Sequence, residues 1–184
     1  MANAGDLSQA SIYSASIADP EGMTIYSDKF FEWMAIKNYS INTIRTRREY
    51  LGYFIDWCYM RGVVRPSHVT KSILDRYPKH LFHHRKKNGD PLSVNSQHTR
   101  LVPVKAFFKW LAKENYILYN PASELELPRL GKRLPKAILS EQEVETILNQ
   151  TDTTTATGVR DRAMLETLYS TGIRRLELIH LEIH

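Results

Sequence analysis

The stretch Gly158-Val159-Arg160-Asp161-Arg162-Ala163-Met164-Leu165-Glu166-Thr167-Leu168-Tyr169-Ser170-Thr171-Gly172-Ile173-Arg174-Arg175-Leu176-Glu177-Leu178 decides how the rest of the chain is read. Met164, Leu165, Leu168 and Tyr169 recur at helical spacing, which predicts a buried helix. Thr171-Gly172 interrupts that pattern before Leu176, Leu178, Ile179 and Leu181 resume it. Glycine tolerates the left-handed conformation that closes a helix, so Gly172 is expected to be a cap, with a second helix starting at once through Ile173, Arg174 and Arg175. Arg174 is then held at a helix start between apolar residues. Free backbone N–H groups and the helix dipole favour an anion there, and the guanidinium fork matches the oxygens of a phosphate. The bland alternative is a helical hairpin with a surface arginine.

Thr171-Gly172-Ile173-Arg174-Arg175-Leu176-Glu177-Leu178, preceded by Arg160-Asp161-Arg162-Ala163-Met164-Leu165, resembles the first active-site motif of the tyrosine recombinases, the phage integrase family, in its Xer-like branch. The resemblance implies two catalytic residues: Arg174 to clamp the scissile phosphate and Glu177 to support the site. It also implies DNA recombination without a metal or nucleotide cofactor. The implied partners are double-stranded DNA and other recombinase protomers on it.

Composition fits a globular protein: of 184 residues, 42% are hydrophobic and 24% charged, enough for one domain of good size or two small ones. The net charge of +5 points to a polyanionic partner, either nucleic acid or an anionic membrane surface. No apolar run approaches a membrane span and no export signal opens the chain, so no membrane association and a cytoplasmic setting are expected. The lone Cys58, among Tyr53, Phe54, Trp57 and Tyr59, reads as a buried inert thiol.

Residues 1–22 contain Asp6, Asp19 and Glu21 but no lysine or arginine, and read as a mobile tail. A first helix is expected from Ser27 or Asp28 through Ile36, a second from Ser40 or Asn42 to Gly62, a third from Thr70 through Phe82 and a fourth from Ser93 to Glu114. Pro78 is expected to break or kink the third and Pro103 to kink the fourth. The order of these helices, with Ser40-Ile41-Asn42-Thr43-Ile44 opening one and Phe107-Phe108-Lys109-Trp110-Leu111 closing another, resembles the recombinases' core-binding domain. Ser140 with Glu143 reads as a capping box that opens a further helix. The fold implied is mainly α. A four-helix, SAM-like core-binding domain (23–120) leads through a basic linker (121–136) to the first helices of a truncated catalytic domain (137–184).

Charge is concentrated. Residues 76–109 hold eight lysines and arginines against the single acid Asp90, and Pro128-Arg129-Leu130-Gly131-Lys132-Arg133-Leu134-Pro135-Lys136 contains no acid. Such a run is either a solvated face or a surface for a phosphate backbone. Candidate base readers are Asn42, Thr43, Arg45 and Arg47 on the second helix and Asn95, Gln97, His98 and Arg100 on the fourth. Lys86, Lys87, Lys105, Arg129, Lys132 and Arg133 are candidate DNA contacts, mainly to phosphate. His80, His83 and His84 have spacing that could ligate a metal, but no fourth ligand is evident and none is assigned. The recombinase resemblance also implies a tyrosine nucleophile, a hairpin lysine, a His-x-x-Arg pair and a further histidine or tryptophan beyond Arg174. None occurs before His184, so this chain is expected to bind DNA but not recombine it. A short regulator that occupies recombination sites and a helical protein-interaction module remain as other classes.

Overall fold

A computed structural model describes residues 19–131 and 138–182 of the chain. The chain divides into two compact units, residues 1–131 and 132–184. Among the described residues it is mainly α, with seven α-helices, one 3-10 turn and no strand. No helix among them is long and apolar enough to cross a membrane.

The first unit contains α1 (Met23–Ile36), α2 (Ile41–Tyr59), a 3-10 turn (Pro66–His68), α3 (Lys71–His83) and α4 (Val94–Lys113). Hydroxyl caps start three of the helices. Ser40 accepts from the Thr43 N–H at 3.2 Å, Thr70 from Ile73 at 3.4 Å and Ser93 from Ser96 at 3.2 Å, each supplying a partner for an otherwise free N–H. The first helix departs from expectation. It begins at Met23, not at Ser27 or Asp28, because the Met23 N–H donates to the Val64 carbonyl at 2.9 Å and Ser27 lies inside the helix, its hydroxyl on the Thr24 carbonyl. Asp19 and Glu21, expected in a tail, both pair with Arg65 at 2.7 and 2.6 Å. Residues 1–18 lie outside the described part.

Helix α3 does not break at Pro78, and α4 continues through Pro103, which is buried. Packing holds both helices on either side of the proline. Leu74, Tyr77 and Leu81 of α3 are buried, as are Leu101, Val104, Phe107 and Phe108 of α4. Phe54 of α2 is the meeting point, with ring centroids 4.9 Å from Tyr77 and 5.9 Å from Phe108. Phe30 of α1 closes the other side, 5.6 Å from Phe107 and 5.4 Å from Trp110. Each such phenyl ring contributes about 1.5–3 kcal/mol by burial alone. Beyond α4, Ala122 and Leu125 also enter this core, so residues from the start of the expected linker are packed.

The second unit holds α5 (Glu141–Leu148), α6 (Ala156–Thr171) and α7 (Arg175–Ile179). The capping box at α5 forms: Ser140 accepts from the Glu143 N–H at 3.3 Å while Glu143 accepts from the Ser140 N–H at 2.8 Å. Gly158 is required at the start of α6, since a Cβ there would meet the Asp152 carbonyl oxygen at 1.8 Å. Gly172 closes α6 with φ 66° and donates its N–H to Leu168. The expected burial of α6 is not found. Leu165 and Leu168 are half-buried, and Met164 and Tyr169 are exposed. The two other helices of this unit, of eight and five residues, bring too little apolar surface to cover both sides of α6 among the described residues.

Cys58 is fully buried, and desolvation pushes its thiol from 9.0 up to about 12. Because the thiolate is the reactive form, that shift lowers the reactive fraction on the order of a thousandfold at fixed pH, and burial keeps the reagent away. We expect a disulfide reagent at pH 8 to leave the folded protein unmodified and to label one thiol in denaturant. Rapid labelling of the native chain would contradict the packing of α2.

Candidate nucleic-acid interface

Two helix starts define the site, and they are built alike. Ser40-Ile41-Asn42-Thr43-Ile44-Arg45-Thr46-Arg47 opens α2, and Ser93-Val94-Asn95-Ser96-Gln97-His98-Thr99-Arg100 opens α4. The bonds repeat with the residues. In each, the N-cap serine hydroxyl lies 2.9 Å from the hydroxyl three residues on. In each, the threonine six residues after the cap turns back along its helix: Thr46 donates to the Asn42 carbonyl at 2.9 Å and Thr99 to the Asn95 carbonyl at 2.7 Å. In each, the final arginine lies over a tyrosine ring, Arg47 at 5.3 Å from Tyr39 and Arg100 at 4.6 Å from Tyr53.

Because α2 packs against α4, these starts flank one open cleft of about 390 Å³. Asn42, Thr43, Thr46 and Arg47 line it from α2, and His98, Thr99, Val102 and Pro103 from α4. Immediately before α4, the turn after His84 folds back through an Arg85–Pro91 bridge, with Lys86 and Asp90 joined at 2.8 Å and Gly89 at φ 84°. This loop exposes Lys86 and Lys87, neither of which has an ion-pair partner among the described residues.

The structure sorts the other candidates by what already holds them. Arg45 is exposed and reaches only Asn42 Oδ1, at 3.3 Å. Asn95 is exposed beside the cleft. Gln97 is engaged: its amide donates to the Leu92 carbonyl at 2.9 Å and ties the preceding loop to α4. Lys105 is engaged as well, donating to the Leu125 carbonyl at 2.7 Å and pinning residues 122–125 to the core. Arg129 is exposed and borders a separate, larger groove whose rim mixes Lys71 and Lys79 with Asp75 and Glu124. Lys132 and Arg133 lie outside the described residues. His80 packs with Trp57 and Tyr77, and burial followed by the Arg61 charge holds its pKa below the usual histidine range. No group of residues suited to a metal is found among the described residues.

In the second unit, Arg174 is the N-cap of α7 and not part of its first turn as expected. Its N–H donates to Glu177 Oε2 at 2.8 Å and its guanidinium to Oε1 at 3.0 Å. The pair is solvent-facing, with the arginine side chain 86% exposed.

Residues 27–118, which contain both helix starts, match the family described as phage integrase, N-terminal SAM-like domain. The chain belongs to the tyrosine recombinase family. Among similar proteins are tyrosine recombinase XerC 2 of Ralstonia nicotianae, 55% identical over 88% of this chain and 47% of that protein, and tyrosine recombinase XerD of Pseudomonas putida, 35% identical over 85% and 50%. Tyrosine recombinase XerC of Oceanobacillus iheyensis is 31% identical over 88% and 51%. The chain thus spans about half the length of these relatives.

Thr46, Thr99 and Val102 of this tyrosine recombinase line the cleft without being among the candidates expected from the sequence. The signal was available in the matching Ser-x-Asn…Thr-Arg order of the two helix starts. Lys105, a candidate DNA contact by its charge, has its ammonium on the Leu125 carbonyl. We expect Lys105→Met to cost about 1–3 kcal/mol in urea unfolding, through the carbonyl left without its charged donor, while the salt dependence of DNA binding stays unchanged. A flatter salt slope would return Lys105 to the interface.

Proposed function

We propose that the chain is the DNA-gripping part of a site-specific tyrosine recombinase, together with the first arginine motif of its catalytic domain. One observation carries this reading: two like-built helix starts lie side by side, flanked by cations that have no intramolecular ion-pair partner among the described residues. A major groove about 12 Å wide admits a helix, so such starts suit base edges. Arg45, Arg47 and Arg100 flank the bases, and Asn42, Thr43 and Asn95 lie among them. Lys86, Lys87, Arg129, Lys132 and Arg133 hold the phosphates on either side and set the register. The protein works in the cytoplasm with further protomers on the same DNA.

In the second domain, placed at residues 137–184 after a linker, Arg174 takes a non-bridging oxygen of the scissile phosphate while Glu177 holds the arginine's backbone N–H. The recombinase as a whole joins DNA strands through a covalent tyrosine–phosphate intermediate, and a fixed guanidinium stabilises the charge that develops on the phosphate. The reaction calls for no metal or nucleotide.

Duplex binding should fall steeply with salt, and replacing Lys86, Lys87, Lys132 and Arg133 together by alanine should lower the log–log slope by about 3–4. An unchanged slope would remove these residues from the phosphate contacts. In a protein extended through a complete catalytic domain, Arg174→Ala should leave binding intact and slow strand cleavage on the order of a thousandfold. Arg175→Ala serves as the control, and equal cleavage by Arg174→Ala would take the clamp role away from that residue.

A further inference from the structure

The cleft between α2 and α4 has an unusual lining for a DNA-facing surface, and its hydrogen bonds explain why. Thr46 and Thr99 donate their hydroxyls to carbonyls one turn back in their own helices, and Thr43 shares its hydroxyl with Ser40 at 2.9 Å. With their hydroxyl protons so placed, Thr46 and Thr99 have no O–H left to donate, and each brings an acceptor oxygen and a methyl group to the cleft. Val102 and Pro103 continue the apolar surface from α4. At the first helical position, Ile41 is 81% exposed and Val94 49%, so both helix starts also present an apolar side chain to solvent at the same place. Arg47 lines the cleft, Arg45 and Arg100 lie on the same two helices, and Lys86 and Lys87 are exposed in the loop just before α4. The surface therefore combines attraction for a polyanion with a largely apolar trough.

In the major groove only one base carries a methyl group, thymine at C5, and apolar side chains are what meet it. We propose that this cleft reads thymine methyls, so that the protein prefers a run of A·T pairs where α2 and α4 enter the groove. The inference rests on the DNA-binding reading above. A cleft of about 390 Å³ exceeds one methyl, which is why consecutive thymines fit better than a single one. Asn42 and Asn95, at equivalent positions of the two starts and exposed, suit the adenines of the same pairs.

The test uses the full chain and duplexes selected by it from a randomised pool. Each selected duplex is compared with a copy carrying deoxyuridine for thymidine, which keeps the pairing edge and removes the methyl. Binding to the substituted copy should weaken about fourfold for each methyl that enters the cleft. Thr46→Ser with Thr99→Ser retains the hydroxyls that bond the helices and deletes two methyls, so the ratio of thymidine to deoxyuridine binding should fall toward one while helicity remains. Lys86→Ala should weaken both duplexes alike. Equal binding of the two duplexes by the unaltered chain overturns the methyl reading and leaves DNA binding standing. A thymidine preference that persists undiminished in the serine variant overturns it too, because it would then arise from duplex shape. Failure to bind any duplex removes both readings.

Discussion

The packing of Phe54 between Tyr77 and Phe108 is the constraint on which the first unit depends. It draws α2, α3 and α4 to one point, and α1 closes the remaining side through Phe30. Truncating such a ring costs about 3–5 kcal/mol, a large part of the stability of a domain of this size. The consequence for function lies at a distance from the ring. With α2 and α4 fixed in contact, the first two turns of α2 are held against the second and third turns of α4, and side chains more than fifty positions apart in sequence line one cleft. A helix start alone offers a cap and a few polar side chains. Two held side by side offer a surface.

Charge in this protein divides by burial and partnership, and the division decides which cations remain for a ligand. Arg48 pairs with Asp28 at 2.6 Å and lies over Phe31, Arg65 bridges Asp19 and Glu21, and Lys71 pairs with Glu124. These groups join segments of the fold. Exposed pairs of this kind are worth about 0–1 kcal/mol each, so they guide packing more than they sustain it. The cations around the cleft have aromatic faces or weak partners in place of carboxylates, as Arg47 and Arg100 show. A stacked guanidinium keeps its N–H groups free, so it is ordered before the ligand arrives and loses less freedom on binding.

What could be read in the sequence was local. Ser40, Thr70, Ser93 and Ser140 are caps whose partners lie three residues away, and Gly172 closes its helix by its own backbone freedom, so each was visible in a short window. The start of α1 was not, because the bond that sets it comes from Val64, far along the chain. That α3 runs unbroken past Pro78 was hidden for the same reason: propensity argues for interruption, while burial of Leu74, Tyr77 and Leu81 holds the helix on both sides. At the candidate site, Asn42, Arg45, Arg47, Asn95 and Arg100 were legible as polar side chains near the starts of two helices. That Gln97 and Lys105 were engaged by carbonyls was not, since the Lys105 partner lies twenty residues away. The kinship of the two helix starts was in plain view, yet it became meaningful only when packing brought them together.

Arg174 presents a different economy of charge. Its guanidinium is engaged by Glu177 at 3.0 Å, which at first sight competes with a phosphate. The two contacts to Glu177 are not equivalent, however. The bond to the backbone N–H fixes the start of α7, and the bond to the guanidinium joins two groups that are both well exposed to water. The second is weak for that reason and can exchange for a phosphate oxygen at small cost, whereas the first has no reason to break. A glutamate three residues after the arginine can thus serve the site without neutralising it, by setting where the chain turns and from which point the guanidinium extends. On this argument Glu177→Gln, which keeps an acceptor for the backbone N–H, should disturb the proposed clamp far less than Glu177→Ala, which removes it.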